Sequence, residues 1–250
     1  MTLPALVGAL LIGLSLGLLG SGGSILTVPV LVYLLGEPPK QAIAESLLIV
    51  GGIALLGAVP YALRGLVDFR NVLFFGLPGM AGTYLGAWLS RFVSGEVQLL
   101  TFALVMLLAA YFMARPLPLR RQEGGRKPWK IVLDGLFVGA LTGFVGVGGG
   151  FLIVPALVLL GGLPIHLAVG TSLLIIAMKS FAGFYKYLHL LPALGLSVNY
   201  QVAGLFVLVG FLGSLLGGRV AVRLPQESLK RGFALFLVAA GVFILVQNLD

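Results

Sequence analysis

Lys179 is the residue of this sequence with the clearest potential for chemistry, because it is a lysine inside a long apolar run. It follows the start of that run by about 12 residues, which is ~18 Å along a helix. Ser172, Lys179 and Lys186 are spaced by seven, so they share one helix face. We expect Lys179 to offer positive charge to an anion. The alternative is a lysine that pairs with a backbone carbonyl or with Glu45.

Glu45 is the only acid well inside an apolar run in the first half of the chain. An ionisable group inside a membrane helix is costly and is a functional candidate, so Glu45 could carry a coupling proton or pair with Lys179. It also lies only about one helical turn from the end of its run, which makes an interfacial carboxylate an equally good interpretation.

Two Gly/Ser-rich stretches interrupt apolar runs. The first contains Gly20, Ser21, Gly22, Gly23 and Ser24, and the second contains Gly146, Gly148, Gly149 and Gly150. A broken helix leaves backbone N–H groups and the positive end of its dipole free, and glycine lets an anion approach them. Two such breaks brought together would form an oxyanion site. The alternative is tight helix crossing, which small residues serve equally well.

The two stretches belong to an internal repeat. The sequence from Gly17 to Pro29 matches the sequence from Gly143 to Pro155, and the register continues through the pairs Pro38/Pro164, Ser46/Ser172, Gly57/Gly183 and Tyr61/Tyr187. After a slip of five residues, Gly82–Gly86 matches Gly213–Gly217. Glu45-Ser46 stands where the second copy has Thr171-Ser172, so Ser46, Thr171 and Ser172 join the candidate binding residues. Asp68 and Asn199 also match, and we expect both to cap helix starts.

The composition makes the chain a membrane protein. Hydrophobic residues make up 59% and charged residues 10%, and the mean hydropathy is +1.12. A soluble domain is about a quarter charged, and it could not cover its surface with so few polar groups. Without cysteine, the chain can form neither disulfides nor thiolate metal sites.

The repeat and the apolar runs predict an all-α polytopic membrane protein. Residues 1–114 form the first repeat, 115–130 a basic linker and 131–250 the second repeat. The first repeat has runs at 3–19, 24–35, 41–63, 70–90 and 97–114. The second has runs at 131–145, 150–161, 167–188, 199–218 and 228–247. Runs of about 12 residues are too short to span a membrane, so each repeat is predicted to be a Gly-broken helical hairpin plus three transmembrane helices.

The basic residues predict that the two repeats are inverted. If the hairpins do not cross the membrane, one side collects Arg64, Arg70, Arg115, Arg120, Arg121, Arg126, Lys127, Lys130, Arg219, Arg223, Lys230 and Arg231. Only Lys40 and Arg91 fall on the other side. Cytoplasmic loops are rich in Lys and Arg, so the linker is predicted to be cytoplasmic and both termini extracytoplasmic. Parallel repeats with four crossings each are the alternative, and they fit the charges less well.

The Gly-rich break followed by Val-Pro occurs twice, and Gly170-Thr171-Ser172-Leu173-Leu174 follows the second break. With these motifs, the chain resembles the TauE/SafE family of sulfite and organosulfonate exporters from Leu3 to its last helix. The resemblance implies a multi-pass secondary carrier of small sulfur oxyanions or related organic anions in the cytoplasmic (inner) membrane. The expected partners are the anion and the lipid bilayer, with no nucleic acid; a homo-oligomer is compatible with the sequence.

Three other functions compete with an anion carrier. A carrier of divalent cations would need more intramembrane oxygen ligands than Glu45 supplies, although unwound carbonyls at the breaks could still bind Na⁺, which leaves a cation-coupled carrier of another small solute as an alternative. An intramembrane hydrolase would need a Ser and a His together, whereas His166 and His189 stand at opposite ends of one helix. A non-transporting scaffold would not need matched breaks. We therefore predict no enzymatic activity, no catalytic residues, no metal site and no cofactor.

Overall fold

The computed structural model describes residues 3–19, 23–114, 128–145, 153–154, 157, 163–221 and 226–249. Within these residues all regular secondary structure is helical. The first half forms α1 (Leu3–Leu19), α2 (Gly23–Pro29, continued by a π-helical turn at Val30–Leu34), α3 (Pro39–Leu63), α4 (Phe69–Phe92) and α5 (Gly95–Ala114). The second half forms α6 (Pro128–Val145), α7 (Ile165–Leu190), α8 (Tyr200–Ala221) and α9 (Gln226–Leu249).

These bounds lie within about three residues of the predicted runs, a difference that is usual at helix ends. The largest differences are at the start of α6, which begins at Pro128 rather than 131, and at the end of α8. The run predicted at 150–161 falls mostly outside the described residues.

Four of the described helices are long and apolar enough to cross a membrane, which confirms the membrane class. They cover Pro39–Leu63, Phe69–Phe92, Leu167–Leu190 and Tyr200–Val220. Large apolar side chains also cover the outside of the bundle, among them Leu104, Phe137 and Leu208. Such a surface is compatible with a lipid environment and not with water.

α1 and α2 form a helical hairpin. A methyl group at Gly8 would lie 2.9 Å from Cγ1 of Val30 and 3.8 Å from Cδ1 of Leu34. The end of α2 therefore returns beside the first part of α1, and the chain leaves the hairpin near the side on which it entered. The hairpin predicted for the first half is thus present. Its counterpart in the second half depends on residues outside those described.

Glycines let helices of the two halves pack in matched pairs. In one pair, α1 crosses α8 where Gly13 meets the carbonyl of Gly210; in the other, α6 crosses α4 where Gly139 meets the carbonyl of Gly79. A side chain at Gly13 or Gly139 would collide with that carbonyl. Gly13 corresponds to Gly139 and Gly79 to Gly210 in the repeat, so each half supplies one member of each contact. The halves therefore pack on each other through matched glycine contacts.

The matched central helices run in opposite directions. α3 packs on α7 with Gly51 beside Ser180 and Gly57 beside Leu173. Later positions on α3 thus meet earlier positions on α7, which defines an antiparallel pair. By contrast, Gly13 and Gly17 of α1 meet Gly210 and Ser214 of α8 in the same order, so that pair is parallel.

Candidate functional site

Lys179 lies on α7, where that helix packs against α4, and is completely buried. A methyl group at Gly79 would come within 2.9 Å of its Cδ and 3.3 Å of its Cε, so the alkyl chain lies against α4 at that glycine. The ammonium nitrogen is 5.9 Å from the ring centroid of Phe75 and has no hydrogen-bond partner among the residues that the structure describes. The side chain is thus buried as expected, and in this conformation it pairs neither with Glu45 nor with a carbonyl of the described residues.

The local shape of α4 contributes to this site. Phe75 belongs to a wider π-helical turn at Val72–Gly76. Pro78 follows, and it has no N–H to donate to the carbonyl four residues earlier, which is a common cause of such irregular turns. The sequence thus positions the aromatic ring beside Lys179 through a local break in the hydrogen-bond pattern of α4.

The same packing arrangement occurs in both halves of the molecule, and only the second half places a charged residue, Lys179, in it. Ile53 is the matched residue of the first half, and a methyl group at Gly210 would meet its side chain just as one at Gly79 meets Lys179. Phe206 matches Phe75 and is also buried. An isoleucine fills the position in one half and a lysine in the other, so packing alone does not require a charge there.

Ser180, the next residue of α7, is a second buried polar group, and the sequence reasoning missed it. It is fully buried, its Oγ has no hydrogen-bond partner within the described part of the chain, and its Cβ would lie 3.2 Å from a methyl group at Gly51 of α3. Ala54 is the matched residue of the first half. The signal that could have found Ser180 is this difference between the copies, next to the difference at Lys179.

Ser46 and Ser172 are buried on matched turns of α3 and α7. Each hydroxyl donates a 2.8 Å hydrogen bond to a carbonyl of its own helix, to Ile43 for Ser46 and to Val169 for Ser172. In this conformation their protons are committed within the helices.

Thr171 and Glu45 make matched contacts across the two halves. The backbone N–H of Asp68 donates to Oγ1 of Thr171 at 2.8 Å, and that of Asn199 donates to Oε1 of Glu45 at 2.6 Å. Asp68 in turn accepts from the N–H of Arg70 at 2.9 Å, and Asn199 accepts from that of Val202 at 3.2 Å. The predicted caps are thus confirmed. Thr171 of the second half thus holds the start of α4, and Glu45 of the first half holds the start of α8.

Glu37 is a further acidic residue that the sequence reasoning missed. It lies in the turn before α3, where burial, followed by the hydrogen bond and the negative charge of Glu45, raises its pKa to about 8. Two carboxyl groups can hydrogen-bond to each other only when one of them carries a proton. The available signal was a second acid eight residues before Glu45, between Gly36 and Pro38.

A buried polar cluster fixes the end of α6, directly before the second Gly-rich stretch. The side-chain amide of Gln98 donates to the carbonyl of Phe144 and, at 2.8 Å, to the hydroxyl of Tyr187. The Tyr187 hydroxyl donates to the same carbonyl at 3.3 Å. Because the last carbonyls of a helix have no partner within it, this cluster stabilises the point where α6 ends.

Most of the predicted glycine breaks lie outside the described residues. These are Gly20, Ser21, Gly22, Gly146, Gly148, Gly149 and Gly150. Gly23 and Ser24 open α2, so the first break does precede a new helix. Across the described part of the chain, no group of three or more His, Cys, Asp or Glu side chains is arranged to hold a metal ion.

A sequence profile described as "Sulfite exporter TauE/SafE" matches residues 5–244, which is nearly the whole chain. The chain belongs to the TauE/SafE family. Membership makes it a membrane transporter, in agreement with its apolar helices and with the resemblance found in its motifs. The Gly-rich stretches, Lys179 and the Glu37–Glu45 pair are thus features of a TauE/SafE transporter.

Related proteins of this kind are similar over their full length. A probable membrane transporter protein of Xylella fastidiosa (strain Temecula1) is 34% identical over 95% of this chain and 92% of its own length. A Haemophilus influenzae protein of the same description is 29% identical, with 97% of both chains covered. The Bacillus subtilis protein YunE, also a probable membrane transporter, is 25% identical over 93% of both. No solved structure matches the chain significantly.

Proposed function

We propose that this TauE/SafE protein is a secondary transporter that carries small sulfur-containing oxyanions, such as sulfite or a sulfonate, across the cytoplasmic membrane. The observation that carries the proposal is the ammonium group of Lys179, which is fully buried and lacks a hydrogen-bond partner among the described residues. A buried charge is stable only when it is paired. An anion that enters between α4 and α7 would supply that partner.

The glycine-rich breaks would complete the binding site. Backbone N–H groups at Gly20–Ser24 and Gly146–Gly150 would donate to the oxygens of the anion, and Lys179 would balance its charge. Ser46, Thr171 and Ser172 lie on the helices that follow the breaks. Ser180, whose hydroxyl proton is uncommitted, adds a donor beside Lys179.

We further propose that the two halves are inverted repeats. Their matched helices α3 and α7 are antiparallel, which is the arrangement expected when each half crosses the membrane an odd number of times. The α1–α2 hairpin returns toward its own starting side, and it leaves α3, α4 and α5 as three crossings. Inverted repeats around a central site support alternating access, in which one half rocks against the other.

Counterflow in proteoliposomes tests this function. Vesicles that contain the purified protein are preloaded with unlabelled sulfite, and uptake of labelled sulfite is measured with sulfite, thiosulfate, taurine, sulfoacetate or acetate as competitor. We expect uptake above that of protein-free vesicles and stronger competition by the sulfur oxyanions than by acetate. The proposal would be overturned if, with each of these anions, vesicles that contain the protein take up no more than protein-free vesicles do.

A further inference from the structure

We propose that Glu37 and Glu45 form a proton-binding site, and that a proton taken up there accompanies transport. This inference rests on the proposed function for its role in transport, but the proton site itself can be tested separately. The site lies at the end of the bundle where α3 and α8 both begin.

The two side chains offer buried oxygens that a shared proton would satisfy. Glu45 is fully buried, and its Oε1 is already occupied by the N–H of Asn199 and the amide of Gln41. Its Oε2 and the Oε2 of Glu37 are both buried and accept from no donor among the described residues. The two carboxyl groups lie close enough to interact, since the hydrogen bond and charge of Glu45 add to burial in raising the pKa of Glu37. A proton on one of these oxygens is the group that satisfies both.

Nearby cations do not neutralise the pair, because each is engaged elsewhere. The Lys40 ammonium donates to the carbonyl of Ser90, and the Arg91 guanidinium stacks on the rings of Trp88 and Phe92. On the neighbouring elements, the Lys186 ammonium lies 5.1 Å from the ring centroid of Tyr84. Nδ1 of His189 contacts the carbonyl of Tyr185 at 2.9 Å. Gln41 and Asn199 give the pair only neutral donors. The charge balance at the pair is therefore set by its own proton.

The pair exists in one half only. Leu163 and Thr171 stand at the matched positions, and there the acid lies instead on the helix cap, as Asp68, opposite the neutral Thr171. In the first half the cap is the neutral Asn199 and the acid is Glu45. Each of the two contacts, Thr171–Asp68 and Glu45–Asn199, thus contains one acid. Only the Glu45–Asn199 contact has a second carboxyl group beside it, that of Glu37. One proton site per chain follows from this asymmetry.

The pair also connects the elements that must move for transport. The backbone N–H of Glu37 donates to the carbonyl of Leu31 at 3.1 Å, so the turn that carries Glu37 is bonded to the end of the α1–α2 hairpin. Glu45 holds the start of α8 through Asn199. Loss of the shared proton would leave two carboxylates in contact, and their repulsion would act on the hairpin and on α8 together.

Infrared difference spectroscopy tests the proton site without any substrate. The purified protein is titrated in detergent, and the C=O stretching band of a protonated carboxyl group is followed as the pH rises. We expect one band that disappears near pH 8, the pKa of Glu37. We expect that band to be absent in Glu37→Gln. In Glu45→Thr, a change that copies the threonine contact of the other half, we expect it to disappear at a lower pH, because Glu37 stays buried but loses the hydrogen bond and the charge of Glu45. The control Glu96→Gln, at an exposed acid that opens α5, retains the band.

A proton-flux measurement tests the role in transport. Methanesulfonate, which stays ionised over the pH range used, is added to proteoliposomes that contain a pH-sensitive dye. We expect about one proton per sulfonate for the wild type and for Glu96→Gln, and a loss of proton movement in whatever flux Glu37→Gln and Glu45→Thr retain. An unchanged proton ratio in both variants, or a wild-type protein without the infrared band, would overturn the inference. If the band is present but no sulfur oxyanion is transported, the proposed substrate fails and the proton site stands.

Discussion

The alkyl chain of Lys179 lies against Gly79, because a methyl group at that glycine would come within 2.9 Å of the lysine Cδ. Gly79 therefore provides the space that the lysine side chain occupies between α7 and α4. The same glycine also accommodates the approach of α6, where Gly139 meets its carbonyl. The two functions of Gly79, space for the lysine and contact with α6, can be separated by substitution.

Gly79→Ala should displace Lys179 while the helices stay together. The nearest backbone atom to the added methyl group is the carbonyl oxygen of Gly135, at a tolerable 3.4 Å. We expect sulfite affinity to fall about 3- to 10-fold and stability to change by about 1 kcal/mol or less, since alanine also favours a helix over glycine. Isothermal titration and thermal unfolding in detergent measure the two effects.

Gly139→Ala is the matched comparison, because its methyl group would meet backbone rather than a movable side chain. It should destabilise the protein by about 1–3 kcal/mol through overpacking. Gly204→Ala, with nothing within 4 Å of the new methyl group, should alter neither quantity. Equal losses of stability in Gly79→Ala and Gly139→Ala would show that Gly79 serves only helix packing.

The inverted topology predicts which loops can be labelled from outside the cell. The natural chain has no cysteine, so single cysteines report unambiguously. Ser94→Cys, in the exposed turn between α4 and α5, should react with an impermeant maleimide in intact cells. Gln122→Cys, in the basic linker, should react only after the cells are permeabilised. Labelling of the linker cysteine in intact cells would contradict the proposed orientation.

The thermal stability should fall as the pH rises toward 8. The pKa of Glu37 is raised from its ordinary 4.5 to about 8, so the native state binds more protons than the unfolded chain between these values. Stability therefore decreases with pH through that window. We expect the Tm to drop by a few °C between about pH 5 and 8.5, which corresponds to roughly 1 kcal/mol for a chain of this size. Glu37→Gln should have a flatter profile, and an identical slope in that variant would contradict the assignment.

Much of the fold could be predicted from the sequence, because its signals are local. The apolar runs predicted the helices, and the polar residues Asp68 and Asn199 predicted two helix starts. The break at Gly20–Ser24 predicted a hairpin, and α2 does return beside α1. Lys179 could be recognised as buried because its depth in the helix depends only on position along one run.

The rest of the site depends on contacts between distant parts of the chain. Gln98 and Tyr187 are 89 residues apart, and no pattern in the sequence indicates that they meet at Phe144. Glu45 contacts Asn199 across 154 residues, whereas the sequence left a coupling proton, a pair with Lys179 and an interfacial carboxylate open for it. Glycines such as Gly13 and Gly139 resemble those of the breaks in sequence, yet they serve helix crossing. Only their surroundings distinguish the two uses.

The charge of Lys179 is proposed to bind the transported anion. The sulfite affinity of Lys179→Ile tests this role most directly. Isoleucine is the residue that the first half places at the matched position, as Ile53 against Gly210, so the variant should fold. Isothermal titration should show an affinity about 10- to 100-fold weaker than that of the wild type, since a hydrogen bond to a charged group contributes about 1.5–3 kcal/mol. A Lys179→Ile protein that binds sulfite as tightly as the wild type would contradict the account.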